Sequence, residues 1–141
     1  MYKVKMDGQT LYYPGDKEAV LTNPTLNLQT GYAGTFEFLV PPNNPLYDKI
    51  RNRSSMVSVF RDTTEIFYGE VRKQPKIDRY RNKNVYCAGA MSFLADSIQP
   101  QAEYHDMTPR QMLETFLDIH NNQVEDRKKI YLGKVTITDV K

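Results

Sequence analysis

The sequence has no tryptophan, one cysteine and two histidines in 141 residues. A single cysteine excludes an internal disulfide framework and a thiolate metal cluster. The histidines stand in neither HExxH nor CxxC-type surroundings, so no metal-binding motif is recognisable. No apolar run reaches the length of a membrane helix, and Met1-Tyr2-Lys3-Val4-Lys5 has no signal-peptide layout. No glycine-rich loop has phosphate-cradling spacing, which argues against a nucleotide enzyme. Charge of one sign is also lacking: 19 Lys and Arg stand against 17 Asp and Glu, a net charge of +2. Such a balance makes no overall demand for an acidic partner. These absences predict a soluble chain made in a reducing cytoplasm, with no cofactor and no membrane partner.

What is present points to sheet. The chain is 40% hydrophobic and 26% charged, a globular rather than a disordered balance. Its length suits one domain, 1–141. Ten tyrosines and six phenylalanines accompany many β-branched residues, a composition that favours strands. The central stretch is Gly34-Thr35-Phe36-Glu37-Phe38-Leu39-Val40-Pro41-Pro42-Asn43-Asn44-Pro45-Leu46-Tyr47-Asp48. Phe36, Phe38 and Val40 alternate with Thr35, Glu37 and Leu39, as in a strand with one face in a core. Pro41 and Pro42 donate no N–H and stop the ladder. Asn44 then reads as an N-cap before Pro45, opening a short helical lid through Leu46, Tyr47 and Ile50.

Strands are predicted on either side. Tyr2 to Met6 and Thr10 to Tyr13 flank the hairpin turn Asp7-Gly8. Leu26 to Gln29 is a third short strand. Met56 to Arg61 and Ile66 to Arg72 flank a polar turn, and Gly69 marks a bulge or a close backbone approach. Asn84 to Gly89 follows. Met91 to Ile98 can make about two helical turns with Phe93, Leu94 and Ile98 on one side. Thr108-Pro109-Arg110-Gln111 is a strong helix start, and Met112, Leu113, Phe116, Leu117 and His120 follow at helical spacing. Lys129 to Thr138 reads as strand, glycine, strand. The predicted fold is α+β, mainly antiparallel β: a small β-barrel with one main helix and one or two short ones. Its core is expected to hold Val4, Phe36, Phe38, Val40, Val57, Val59, Phe67 and Val71.

Candidate chemistry is sparse. Cys87 sits in a strand between Tyr86 and Ala88 with no cationic neighbour, the setting of a small buried hydrophobe rather than a nucleophile. Glu103, His105 and Asp106 form a loop of mixed charge without ligand spacing. Glu37, Asp62, Glu65 and Glu70 supply carboxylates that the sequence does not pair across a cleft. No catalytic, cofactor or metal residue is therefore assigned. The strongest local charge is Arg72, Lys73, Lys76, Arg79, Arg81 and Lys83, with Tyr80 among them and only Asp78 opposing. These seven basic and aromatic residues are the candidate interaction surface. A basic strand bearing an aromatic could hold single-stranded nucleic acid as an OB-fold does; the simpler reading is a solvated hairpin or a polar subunit contact. Near-neutral net charge and a single interleaved aromatic weigh against nucleic acid.

Several blocks resemble the N-terminal region of minor structural proteins of phages and prophages, the tail-hub or tail-associated lysin proteins of long-tailed phages of Gram-positive bacteria. They are Gly34 to Asp48, Ile66 to Val71, Leu94-Ala95-Asp96-Ser97, Thr108 to Asn122 with its His120-Asn121 end, and Tyr131 to Thr136. None is a catalytic signature; the likeness lies in their order and spacing. The resemblance implies a non-enzymatic baseplate hub module in the virion tail tip, linking the tail tube to host-contacting or wall-degrading parts. It implies three-fold self-association in a longer protein, with the distal tail protein and the tape measure protein as partners. Any peptidoglycan hydrolase would lie outside these residues, with a following domain starting near 134.

Overall fold

The computed structural model describes residues 1–138. They divide into two compact units, with the boundary between Ala90 and Met91. The fold class is the predicted one: α+β, mostly antiparallel sheet, with one main helix.

The first unit is one curled, half-barrel sheet. Its strands are β1 (Tyr2–Met6), β2 (Gln9–Tyr12), β3 (Thr22–Asn27), β4 (Thr35–Val40), β5 (Met56–Arg61), β6 (Thr64–Val71), β7 (Lys76–Ile77) and β8 (Lys83–Gly89). Their lateral order is β2-β1-β5-β6-β8-β4-β3, with β7 against β8. β8 gives its length to β4, from Thr35↔Ala88 to Val40↔Lys83. Its other edge is divided between β6, at residues 87–89, and β7, at residues 83–84. The β1–β2 turn has both Asp7 and Gly8 in the left-handed region, at φ 49° and 80°, the two-residue geometry that matches strand twist. Asp7 also ties the turn to β5, its backbone N–H donating to the Met56 carbonyl and its carboxylate accepting from the Met56 N–H, both at 2.9 Å.

All eight expected core residues are buried on the concave face. Phe36 and Phe38 pack with ring centroids 4.7 Å apart, and Phe36 lies 6.0 Å from Phe67. Gly69 and Gly89 face each other across β6 and β8. A Cβ on Gly69 would overlap the Ala88 carbonyl oxygen and lie 2.7 Å from Phe67 Cζ; one on Gly89 would overlap the Ala33 carbonyl oxygen. The close approach expected at Gly69 is thus real, and a second glycine shares it.

The lid departs from the sequence reading. Its helical part is a single 3-10 turn, Tyr47–Lys49, with Leu46 at the cap position and no side-chain cap. Asn44 acts as a brace instead. It is buried; its amide donates to the carbonyls of Leu11 and Val20, each at 2.9 Å, and its Oδ1 accepts from Leu46 N at 3.0 Å. One side chain so closes three segments, with every polar atom used. Leu46, Tyr47 and Ile50 join the core cluster. They lie where β4 ends and β8 begins, since Lys83 Nζ donates to the Tyr47 carbonyl at 2.6 Å. This end of the half-barrel is closed.

The second unit holds α1 (Pro109–Asn121), with the expected capping box: Thr108 accepts from Gln111 N, and the Gln111 side chain accepts from Thr108 N. Three expectations fail. The helical turns expected over 91–98 form as a 3-10 segment, Ala90–Asp96, but their shared side does not: Phe93 is buried, while Leu94 is 40% and Ile98, beyond the segment, 81% exposed. The third strand runs from Thr22 to Asn27 rather than Leu26 to Gln29, because its partner β4 sets the register, Leu26↔Phe36 and Asn27↔Thr35. Residues 129–138 form no strand. Their β-forming sequence has no ladder partner among the described residues, and β propensity expresses itself only against a neighbouring edge.

Candidate functional site

The basic stretch is not one surface. Arg72 leaves β6 and turns its Nε to Glu70 Oε2 at 2.9 Å, where Glu70 is fully buried. That pair is structural: a buried carboxylate is held by its cation, and removing either partner would strand the other. Lys73 lies over the Tyr86 ring at 4.2 Å. Lys83 is committed to the lid, over the Tyr47 ring at 4.0 Å and 3.8 Å from Asp48.

The outer half is a hairpin tip. Asp78 organises it: its carboxylate accepts from Tyr80 N at 2.8 Å, from Asn82 N at 2.9 Å and from Asn82 Nδ2 at 3.1 Å. Desolvation in the turn pushes the Asp78 carboxyl up, but the hydrogen bonds from Asn82 and Tyr80 outweigh it and hold the group below its ordinary range. Arg81 sits at φ 66°, and Tyr47 donates its hydroxyl to the Arg81 carbonyl. Lys76, Arg79, Tyr80 and Arg81 are exposed there, with Arg79 over the Tyr80 ring at 4.7 Å. Of the seven predicted residues, then, four make a preorganised cationic and aromatic tip. Arg72 and Lys83 serve the fold, and Lys73 is exposed but lies over the Tyr86 ring. Spacing could have paired Arg72 with Glu70, two residues back on the same strand face, but not Lys83 with the lid, which lies over thirty residues away.

The remaining candidates stay apart. Cys87 is buried in β8, and burial pushes its thiol up, away from a nucleophilic thiolate. His105 and Glu103 approach to 3.6 Å, but both are exposed and no third ligand joins them among the described residues. Asp62, Glu65 and Glu37 are exposed on separate elements.

His120 has a clear structural post. It is fully buried; Nδ1 lies 2.7 Å from Ser97 Oγ and Nε2 lies 3.1 Å from the Lys128 carbonyl. A carbonyl only accepts, so Nε2 donates to Lys128, while the Ser97 hydroxyl lies between Nδ1 and the Leu94 carbonyl, 3.3 Å away. Beside it Lys128 pairs with Asp96 at 2.9 Å, and Asn121 brackets Ile130, donating to its carbonyl at 2.8 Å and accepting from its N–H at 2.9 Å. His120→Ala opens a void at a fully buried position and removes two part-buried hydrogen bonds, those to Ser97 and to the Lys128 carbonyl. It should destabilise α1 by about 2–4 kcal/mol. Amide exchange in α1 should accelerate by about 30-fold or more; unchanged exchange would remove the clasp.

The chain matches no family model, no curated protein and no solved structure.

Proposed function

We propose that the chain is a structural, non-catalytic module of a phage tail tip, the N-terminal half-barrel of a baseplate hub. One observation supports this most directly: the blocks that carry the resemblance are fastenings of the fold, not the walls of a reaction cleft. The Gly34 to Asp48 block is β4 plus the lid, and it holds the Asn44 brace. The Ile66 to Val71 block contains Gly69, on which β6 and β8 close together. Ser97 and His120, from two blocks 23 residues apart, hydrogen-bond to each other. A module that passes on symmetry and load needs rigid fastening more than an open cleft.

In this reading the partners are further copies of the chain in a three-fold ring, the distal tail protein and the tape measure protein, and the location is the virion. A ring needs heterologous contacts, one patch meeting a different one. In a longer hub protein other domains would supply part of that contact set, so residues 1–141 alone should sediment as a monomer or weak oligomer at micromolar concentration, and a longer hub protein containing them as a trimer. A monomeric longer protein would remove the hub reading.

The exposed tip of Lys76, Arg79, Tyr80 and Arg81 favours a second reading, a nucleic-acid-binding half-barrel. If the tip tracked phosphates, affinity would be high at low salt and collapse as salt rises. The tail reading expects nothing tighter than non-specific binding, roughly 10 µM or weaker at physiological salt. Fluorescence anisotropy with labelled single strands decides it. Sub-micromolar affinity lost in Arg79→Glu with Arg81→Glu would favour nucleic acid.

A further inference from the structure

The half-barrel is closed at one end by the lid and open at the other. At the open end β1, β4 and β6 begin and β5 and β3 finish. A cavity of about 770 Å³ lies there, floored by Val4, Phe36 and Val59 and walled by Tyr12, Leu28 and Ile66. That volume falls in the range of about 300–1,000 Å³ typical of small-molecule sites, and barrel mouths are a recurrent place for them. Arg61, at the end of β5, is the one charged side chain lining it, and it is exposed. The next residue, Asp62, is occupied by the Met1 amine at 2.8 Å.

The flanking strands bear on what could enter. A peptide adding to the sheet needs a free backbone edge. β3 offers Pro24, which has no N–H, and a register shift between Thr22 and Thr25. On β2 the Leu11 carbonyl is taken by Asn44, and just beyond it Tyr13 N donates to Ala19. Neither edge welcomes a strand. An apolar ligand without backbone groups has no such need.

We infer that the mouth binds a single long-chain carboxylate, its hydrocarbon on the apolar floor and its carboxylate paired with the Arg61 guanidinium. Charge complementarity selects the anion: a guanidinium pairs with a carboxylate through two parallel hydrogen bonds, and a cationic head of equal chain length meets repulsion instead.

Titration with monomeric dodecanoate, followed by calorimetry and amide chemical shifts, tests this. One saturable site is expected, with shifts confined to Val4, Leu28, Phe36, Ile66 and their neighbours. Dodecyltrimethylammonium should bind at least about tenfold more weakly. Arg61→Gln should weaken dodecanoate about tenfold, the loss of one charge-assisted contact, without weakening the cationic amphiphile. Leu28→Asp, at another exposed position, should weaken both. Circular dichroism should show both variants folded. Absence of saturable binding, shifts spread over the surface, or equal affinity for both head groups would overturn the proposal. So would indifference to Arg61→Gln, binding to anionic phospholipid vesicles but not to the monomer, or self-association through the mouth abolished by Leu28→Asp.

Discussion

Gly89→Ala should lower the melting temperature of the first unit by more than about 12 °C. The added methyl would occupy the position of the Ala33 carbonyl oxygen and lie 2.9 Å from its carbon. The obstacle is backbone, so no side chain can turn aside. Gly89 is also pinned from that direction, its N–H donating to the Gly34 carbonyl at 3.0 Å. Overpacking against movable side chains costs about 1–3 kcal/mol; against backbone it should reach about 3 kcal/mol or more. Each kcal/mol corresponds to about 4–8 °C in a domain of this size. Gly133→Ala is the control: nothing lies within 4 Å of the added atom, so stability should stay within about 0.5 kcal/mol. If the two variants melt together, the close approach of β8 to the 33–34 segment is wrong.

Phe38→Ala should cost about 3–5 kcal/mol. Phe38 is 1% exposed in the middle of β4, between β3 and β8, and rests on Phe36. Alanine at this point leaves a void between two ladders, which cannot collapse into it without breaking register. Urea denaturation should show the midpoint falling with an unchanged slope, the mark of lost stability rather than a less compact fold. Substitution at Glu37, the adjacent residue on the opposite face, should have little effect, because that side chain is exposed. A midpoint unmoved by Phe38→Ala would mean that the concave face is not the core.

These two cases also mark how far the fold could be read in advance. The Phe36, Phe38, Val40 alternation fixes which face of β4 is inside, because a strand has only two faces. Thr108 and Gln111 fix the start of α1, because a capping box is complete within four residues. Gly69 advertised a close approach by standing in a strand of large residues. Gly89 opposite it, and Ala33 against Gly89, did not, since nothing local says which strands will meet. The failures share that cause. Residues 129–138 have strand composition and no strand, and Ile98 has the right spacing for burial yet faces solvent. Asn44 read as an N-cap and not as a brace, because its partners at Leu11 and Val20 are 33 and 24 residues away. The basic stretch was legible as charge but not as placement for the same reason: charge density is local, whereas the groups engaging Lys73 and Lys83, Tyr86 and the lid, are brought in by the sheet. The mouth around Arg61 left no sequence signal, since its wall is assembled from the ends of six separate stretches.

The lone thiol gives this protein an internal clock. Cys87 is flanked on one side by β4 and on the other by β6, and no part of it reaches solvent. Its side chain stands in the core cluster on the sheet's inner face, so a thiol reagent can meet it only when that core opens around the middle strands. Fraying of β2, of β3 or of the hairpin tip leaves it sealed. The rate at which a disulfide reagent consumes the native protein therefore measures the opening of the sheet's middle, not of its margins. With no second cysteine to compete, that single reaction follows the breathing of the half-barrel without any label being introduced.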